Sequence, residues 1–143
     1  MKKEYPVPII GIIIVNSKGE VLIKKRKGAD VLMYSIPGGH IELGETFEQA
    51  AIRETKEETD LEIIDPKVIA IVNALETYQK EGVHYVGVVV LAKEFWGEVK
   101  NNEPDYCEEL IWCDPRELPQ PHFDGSRLSI ECYLKSSFYE GIK

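Results

Sequence analysis

The sequence predicts an α/β fold in which a mixed β-sheet is covered on both faces by helices. β-rich runs surround one helix in the first half of the chain, and a second helix follows near its end. The 143 residues are enough for one domain with a real core, and neither a repeat nor a linker divides them. A single domain over residues 1–143 is the expectation.

Taken in order, Ile9 to Val15 and Val21 to Lys25 are apolar, β-branched runs separated by Asn16-Ser17-Lys18-Gly19, which predicts a hairpin. Lys24, Lys25, Arg26 and Lys27 then form the dense basic cluster of the chain. On a strand only every second side chain faces one way, so part of this cluster serves solubility and part, with Arg26 as candidate, can gather phosphate charge. The pair Gly38-Gly39 leads to a helix starting near Thr46, where Thr46 and Gln49 have the spacing of a capping box. Lys67 to Thr77 and His84 to Lys93 read as strands around a polar turn from Gln79 to Gly82. Gly97 to Tyr106 is a looser segment, and Glu109 to Cys113 reads as a further strand. Pro115, Pro119 and Pro121 punctuate a loop before a terminal helix from about Ser126, with Leu128, Ile130, Tyr133 and Leu134 on its apolar side.

The early helix carries the chemistry. Each helical residue advances by about 100°, so Glu54, Glu57 and Glu58 share one side of it. Like charges at these offsets destabilise an isolated helix, and hard divalent cations prefer oxygen ligands, which makes Mg2+ the natural compensating ion. Phe47, Ala50 and Ala51 lie close to the same stripe, so the acids continue an apolar docking face instead of lying opposite it. Arg53 stands four residues before Glu57 and can orient its carboxylate. A plain solvated charged face would require neither the glycine pair, nor Glu45 at the helix entrance, nor acids on the apolar stripe.

Composition narrows the partners. The formal net charge is -8, and between Glu42 and Glu62 eight acids face only Arg53 and Lys56. Such a surface repels nucleic acid, whereas a nucleotide carried with Mg2+ is compatible with it. Cys107, Cys113 and Cys132 have neither disulfide-framework nor zinc-site spacing, which suits a reducing compartment. The apolar stretch after Met1-Lys2-Lys3 is broken by Gly11 and lacks a cleavage site, and no segment has the length of a membrane span. A soluble cytoplasmic protein without membrane partners is expected; a homodimer is left open.

The run from Gly39 to Leu61 resembles the Nudix box: Gly, five residues, Glu, seven residues, Arg-Glu, an aliphatic residue, any residue, Glu-Glu, any residue, Gly and an aliphatic residue. Gly39, Glu45, Arg53, Glu54, Glu57, Glu58 and Leu61 match in register. Thr55 replaces the usual larger aliphatic, and Asp60 replaces the Gly, at a helix-ending position where Asp tolerates positive φ better than most residues. The resemblance implies an α/β/α sandwich and metal-dependent hydrolysis of a nucleoside diphosphate linked to another group. It implies Glu54, Glu57 and Glu58 as metal ligands, with Mn2+ as an alternative to Mg2+ and the Gly39 carbonyl as a neutral ligand. Glu57 or Glu58 would orient the attacking water, and Glu45 would hold the loop and Arg53, with a ligand role as the alternative. A further acid from outside the box is sought at Glu108 or Glu109.

Outside the box, Lys25-Arg26-Lys27-Gly28, Pro37 to Glu42, Val72-Asn73, His84-Tyr85-Val86 and Glu103 to Trp112 resemble the MutT-like nucleoside triphosphate pyrophosphohydrolases. That resemblance implies release of pyrophosphate and a monophosphate, with a base held near Asn73, His84 and Trp112. His40, after the glycine pair, is a candidate contact to a phosphate or base. The alternatives are a Nudix hydrolase of ADP-ribose or another nucleotide sugar and, in another class, a non-catalytic nucleotide sensor.

Overall fold

The computed structural model describes residues 4–27 and 33–141. Gly28, the last residue of the basic motif, lies outside them. In chain order the elements are β1 (Val7–Ile14), β2 (Val21–Arg26), β3 (Tyr34–Ser35), β4 (Gly38–His40), α1 (Phe47–Thr59), β5 (Glu62–Ile64), β6 (Lys67–Ala74), α2 (Leu75–Glu81), β7 (Tyr85–Ala92), β8 (Glu94–Trp96), β9 (Cys107–Cys113) and α3 (Asp124–Lys135).

A four-stranded sheet in the order β4-β1-β7-β6 forms the centre, with β1 and β7 parallel and the remaining pairs antiparallel. It is mixed, as the sequence predicts. Strand alternation divides the core between its faces. Ile10, Ile12 and Ile14 pack with Ala50, Ala51 and Leu61 on the α1 side, whereas Ile13, Val72 and Val89 pack with Ile130 and Cys132 on the α3 side. The chain is an α/β sandwich with α1 and α3 on opposite faces. Phe47 departs from the predicted docking stripe: it sits in the first turn of α1 and is 44% exposed.

The predicted hairpin divides between two sheets. The turn forms, with the Gly19 N–H bonded to the Asn16 carbonyl, but among the described residues β1 and β2 do not pair as a ladder, and an isolated bridge joins Val15, just after β1, to Val21. Beyond it β1 pairs with β7 and β4, while β2 joins β3 and β9 in a three-stranded sheet. This divergence places the Lys24 side of β2 beside the glycine pair of β4.

The predicted strand end and turn from Leu75 to Glu81 are instead the helix α2. Its first residues have no local side-chain cap. The Asp124 carboxylate supplies one, accepting from the Glu76 N–H at 3.0 Å, the Thr77 N–H at 3.3 Å and the Thr77 hydroxyl at 2.6 Å. Gly82, at φ +77°, ends the helix in the left-handed region. The short pair of β5 and β8 is a further addition to the predicted elements. Cys107, Cys113 and Cys132 are free thiols, and among the described residues no helix is long and apolar enough to cross a membrane.

Candidate active site

Local chemistry fixes the start of α1. Thr46 accepts from the Gln49 N–H at 3.0 Å while the Gln49 side chain accepts from the Thr46 N–H at 2.9 Å, completing the capping box. At the other end Asp60 adopts φ +64°, filling the box's glycine position in the left-handed conformation the sequence reading anticipates.

Arg53 organises the acids. Its Nε and Nη2 bind the two oxygens of Glu45 at 2.7 and 2.9 Å, and Nη2 also donates to the His40 carbonyl at 3.0 Å. Nη1 reaches Glu54 at 3.0 Å and Glu57 at 3.3 Å. One planar guanidinium thereby joins the loop before the helix to two acids on it, a task that suits its fork of donors. The Arg53 contact holds the Glu45 carboxyl below its ordinary value and keeps Arg53 itself firmly protonated.

The three box acids differ in environment. Burial raises Glu54 to about 7 against the opposing Arg53 bond, with the negative charges of Glu58 and Glu57 adding to the rise. Glu57 stays half exposed. Glu58 is buried; one oxygen contacts Lys24 Nζ and the other accepts the Gly38 N–H at 2.9 Å. Its burial raises the carboxyl against those two stabilising contacts.

Close approach requires glycine at 38, where the neighbour is backbone, and favours it at 39, where the neighbour is the end of the Glu54 side chain. A Cβ on Gly38 would fall 2.2 Å from the Ile10 carbonyl oxygen, and one on Gly39 would fall 2.6 Å from a Glu54 oxygen. The missing side chain at Gly39 keeps backbone and carboxylate together. Three carboxylates and a nearby backbone form a hard oxygen set that fits a divalent cation. Among the described residues no three acids, histidines or cysteines are already gathered as a ligand cluster. Arg53 draws Glu54 and Glu57, and Lys24 draws Glu58.

A cavity of about 180 Å3 adjoins these groups. Lys24, Arg26, Gly39 and His40 contribute to its wall from β2 and β4, and Tyr85, Phe123 and Ser126 contribute from β7 and the start of α3. Tyr85 and Phe123 meet edge to face, with ring centroids 6.0 Å apart. Ser126 accepts the Ile36 N–H at 2.9 Å and bonds His122 Nε2 at 2.7 Å, while His122 Nδ1 faces the Pro119 carbonyl at 3.1 Å. A carbonyl can only accept, so Nδ1 carries the proton and Nε2 receives the serine hydroxyl. Burial lowers the His122 pKa.

Of the ligand-contact candidates, Arg26 and His40 line this cavity, while Asn73, His84 and Trp112 do not. Asn73 and His84 bond each other where β6 pairs with β7. Trp112 stacks on Phe95, with centroids 5.8 Å apart, and packs against the α1-side core. Glu108 pairs with Lys25 at 3.6 Å, and Glu109 lies on β9 opposite Lys25. Glu103, in the loop before β9, adds a further negative charge near Glu58. Sequence reading missed Glu103 because nothing local marks that loop as returning to α1; its Asn102 neighbour makes the return, donating to the Lys56 carbonyl at 3.2 Å. It also missed Lys24 as the partner of Glu58, Ser126 and the aromatic pair, whose contacts all span long stretches of chain.

Comparison with known proteins agrees with this architecture. The NUDIX domain family model matches residues 6–131. An ADP-ribose pyrophosphatase of Methanocaldococcus jannaschii is 30% identical over 132 residues, covering 92% of this chain and 75% of that protein. An RNA pyrophosphohydrolase of Roseobacter denitrificans is 32% identical over 71 residues, covering 50% of this chain and 42% of that protein. The crystal structure of a MutT NUDIX hydrolase from Burkholderia pseudomallei superposes with a TM-score of 0.80 at 32% identity, covering 90% of this chain and 98% of that one. With the box residues in register, the α/β sandwich around them and a match over most of its length, the chain belongs to the Nudix family, as a MutT-like hydrolase of phosphoanhydride bonds.

Proposed function

We propose that this protein hydrolyses a nucleoside triphosphate to the monophosphate and pyrophosphate, with Mg2+ as its cation and Mn2+ as a substitute. The observation that carries this reading is the junction of the α1 acids with a cavity whose wall includes Lys24, Arg26 and His40. Glu54, Glu57 and Glu58, with the Gly39 carbonyl, would hold the cation. When bound, the cation neutralises phosphate oxygens and lowers the pKa of water. Arg53 fixes the directions of Glu54 and Glu57. Glu57, half exposed and steered by that guanidinium, is best placed to orient an attacking water. Glu103 is the further acid, acting from the loop beyond the helix. Arg26 and His40 approach the phosphates from the cavity wall, and the Tyr85 and Phe123 rings offer apolar surface to the rest of the substrate. Free thiols suit action in the cytoplasm.

A second reading, hydrolysis of ADP-ribose or another nucleotide sugar, draws support from the name of the Methanocaldococcus jannaschii relative. A nucleotide sensor is less well supported, because Arg53 still grips Glu45, Glu54 and Glu57. A panel of nucleoside triphosphates, ADP-ribose and nucleotide sugars, incubated with Mg2+ and resolved by product, separates these readings. Pyrophosphate with a nucleoside monophosphate is the expected outcome. Turnover confined to ADP-ribose replaces the first reading with the second, and Mg2+-independent binding without turnover favours the sensor.

A further inference from the structure

Glu58 has a partner on each oxygen, and the two partners differ in their freedom to leave. The Gly38 N–H is fixed by the register of β4 on β1. Lys24 ends a flexible four-carbon stem. Its ammonium contacts Glu58 and its side chain also lines the cavity, across from Ser35 in the pairing of β2 with β3. Glu58 is only 4% exposed, so its carboxylate stays charged without Lys24 only if another cation replaces it. A phosphate entering the cavity competes with Glu58 for the same ammonium. Arg53 contrasts with Lys24: its donors are divided among Glu45, Glu54, Glu57 and the His40 carbonyl, which keeps it in place.

We propose that Lys24 is an exchangeable counter-ion, drawn from Glu58 by a substrate phosphate so that the freed oxygen receives the divalent cation. Phosphate and cation then bind with positive coupling, each raising the affinity of the other by the same factor. The inference rests on the reading that the α1 acids hold a cation. It assigns Lys24 a positioning role, acting through Glu58.

The test measures Mn2+ affinity by electron paramagnetic resonance with and without inorganic phosphate, correcting for manganese phosphate complexes in protein-free controls. In the wild-type protein, phosphate should tighten Mn2+ binding at least about 5-fold, the lower end of typical coupling. Lys24→Met removes the competing charge: Mn2+ alone should bind more tightly than to wild type, and phosphate enhancement should fall below about 2-fold. Lys24→Arg, with two donors for a carboxylate, should bind Mn2+ alone more weakly than wild type. Equal enhancement in wild type and Lys24→Met overturns the proposal. If Lys24→Met does not fold, the other two proteins decide: absence of phosphate enhancement in the wild type, or unweakened Mn2+ binding in Lys24→Arg, is equally adverse. Mn2+ binding without coupling leaves the parent reading intact, whereas no Mn2+ binding by the wild type removes both.

Discussion

Helices α1 and α3 cover opposite faces of one sheet, but they are secured in different ways. The entrance of α1 is assembled from neighbours in sequence: Thr46 with Gln49, and Arg53 with Glu45 and Glu57. At the start of α3, Phe123 provides no side-chain cap, and the polar residues that follow serve distant segments. Asp124 caps α2 across 47 residues and Ser126 holds Ile36 across 90. Glu45, Glu54 and Glu57 therefore sit on a locally built unit, whereas Glu58 and the cavity wall depend on tertiary closure.

Four measurements can break or sharpen this contrast. Glu57→Gln should reduce turnover at least about 100-fold, the scale of removing one preorganised electrostatic group. Its unfolding temperature should stay close to wild type because Glu57 is half exposed. Near-normal pyrophosphate release would remove Glu57 from the chemistry. Asp124→Ala should show the opposite pattern, since Glu76 and the buried Thr77 lose a charged acceptor at the start of α2. A loss of roughly 2–3 kcal/mol in denaturant unfolding is expected, with turnover of the folded fraction retained.

Thr55→Val tests the core beneath the acids. Thr55 is fully buried, and its hydroxyl has no hydrogen-bond partner among the described residues. Replacing that hydroxyl by a methyl group should stabilise the protein by about 1 kcal/mol; a destabilised variant would show that the hydroxyl has a role the structure does not reveal.

The smallest effect concerns His122. Burial favours its neutral form in the folded protein, lowering its pKa from the ordinary 6.5. Above that value the imidazole is neutral in both folded and unfolded chains. As pH falls below it, the unfolded chain takes up a proton that the folded chain resists, so stability falls until the lowered folded pKa is passed. Unfolding curves for wild type and His122→Asn at neutral and mildly acidic pH should show a steeper decline in wild type. Parallel declines would show that other groups dominate.

The same contrast explains what was legible in the sequence. The capping box, the left-handed Asp60 and the reach of Arg53 to Glu57 were readable because spacing within a helix fixes which side chains meet. The α2 helix was misread because its cap comes from Asp124, beyond any local window. The hairpin was half right: turn chemistry specified the reversal, but long-range pairing with β7 and β9 determined where its two strands went. Asn73, His84 and Trp112 were sensible candidates by residue type. That Asn73 bonds His84 and that Trp112 stacks on Phe95 could be known only from the folded chain.

The grip of Arg53 on the Glu45 loop has a consequence for how such a molecule diversifies. Because Arg53 ties Glu45 to Glu54 and Glu57 from within one segment, substitutions at Ser126, Tyr85 and Phe123 on the cavity wall leave that clamp intact. On the proposed function, the cavity wall is therefore free to change its ligand while the clamp on the acids is kept.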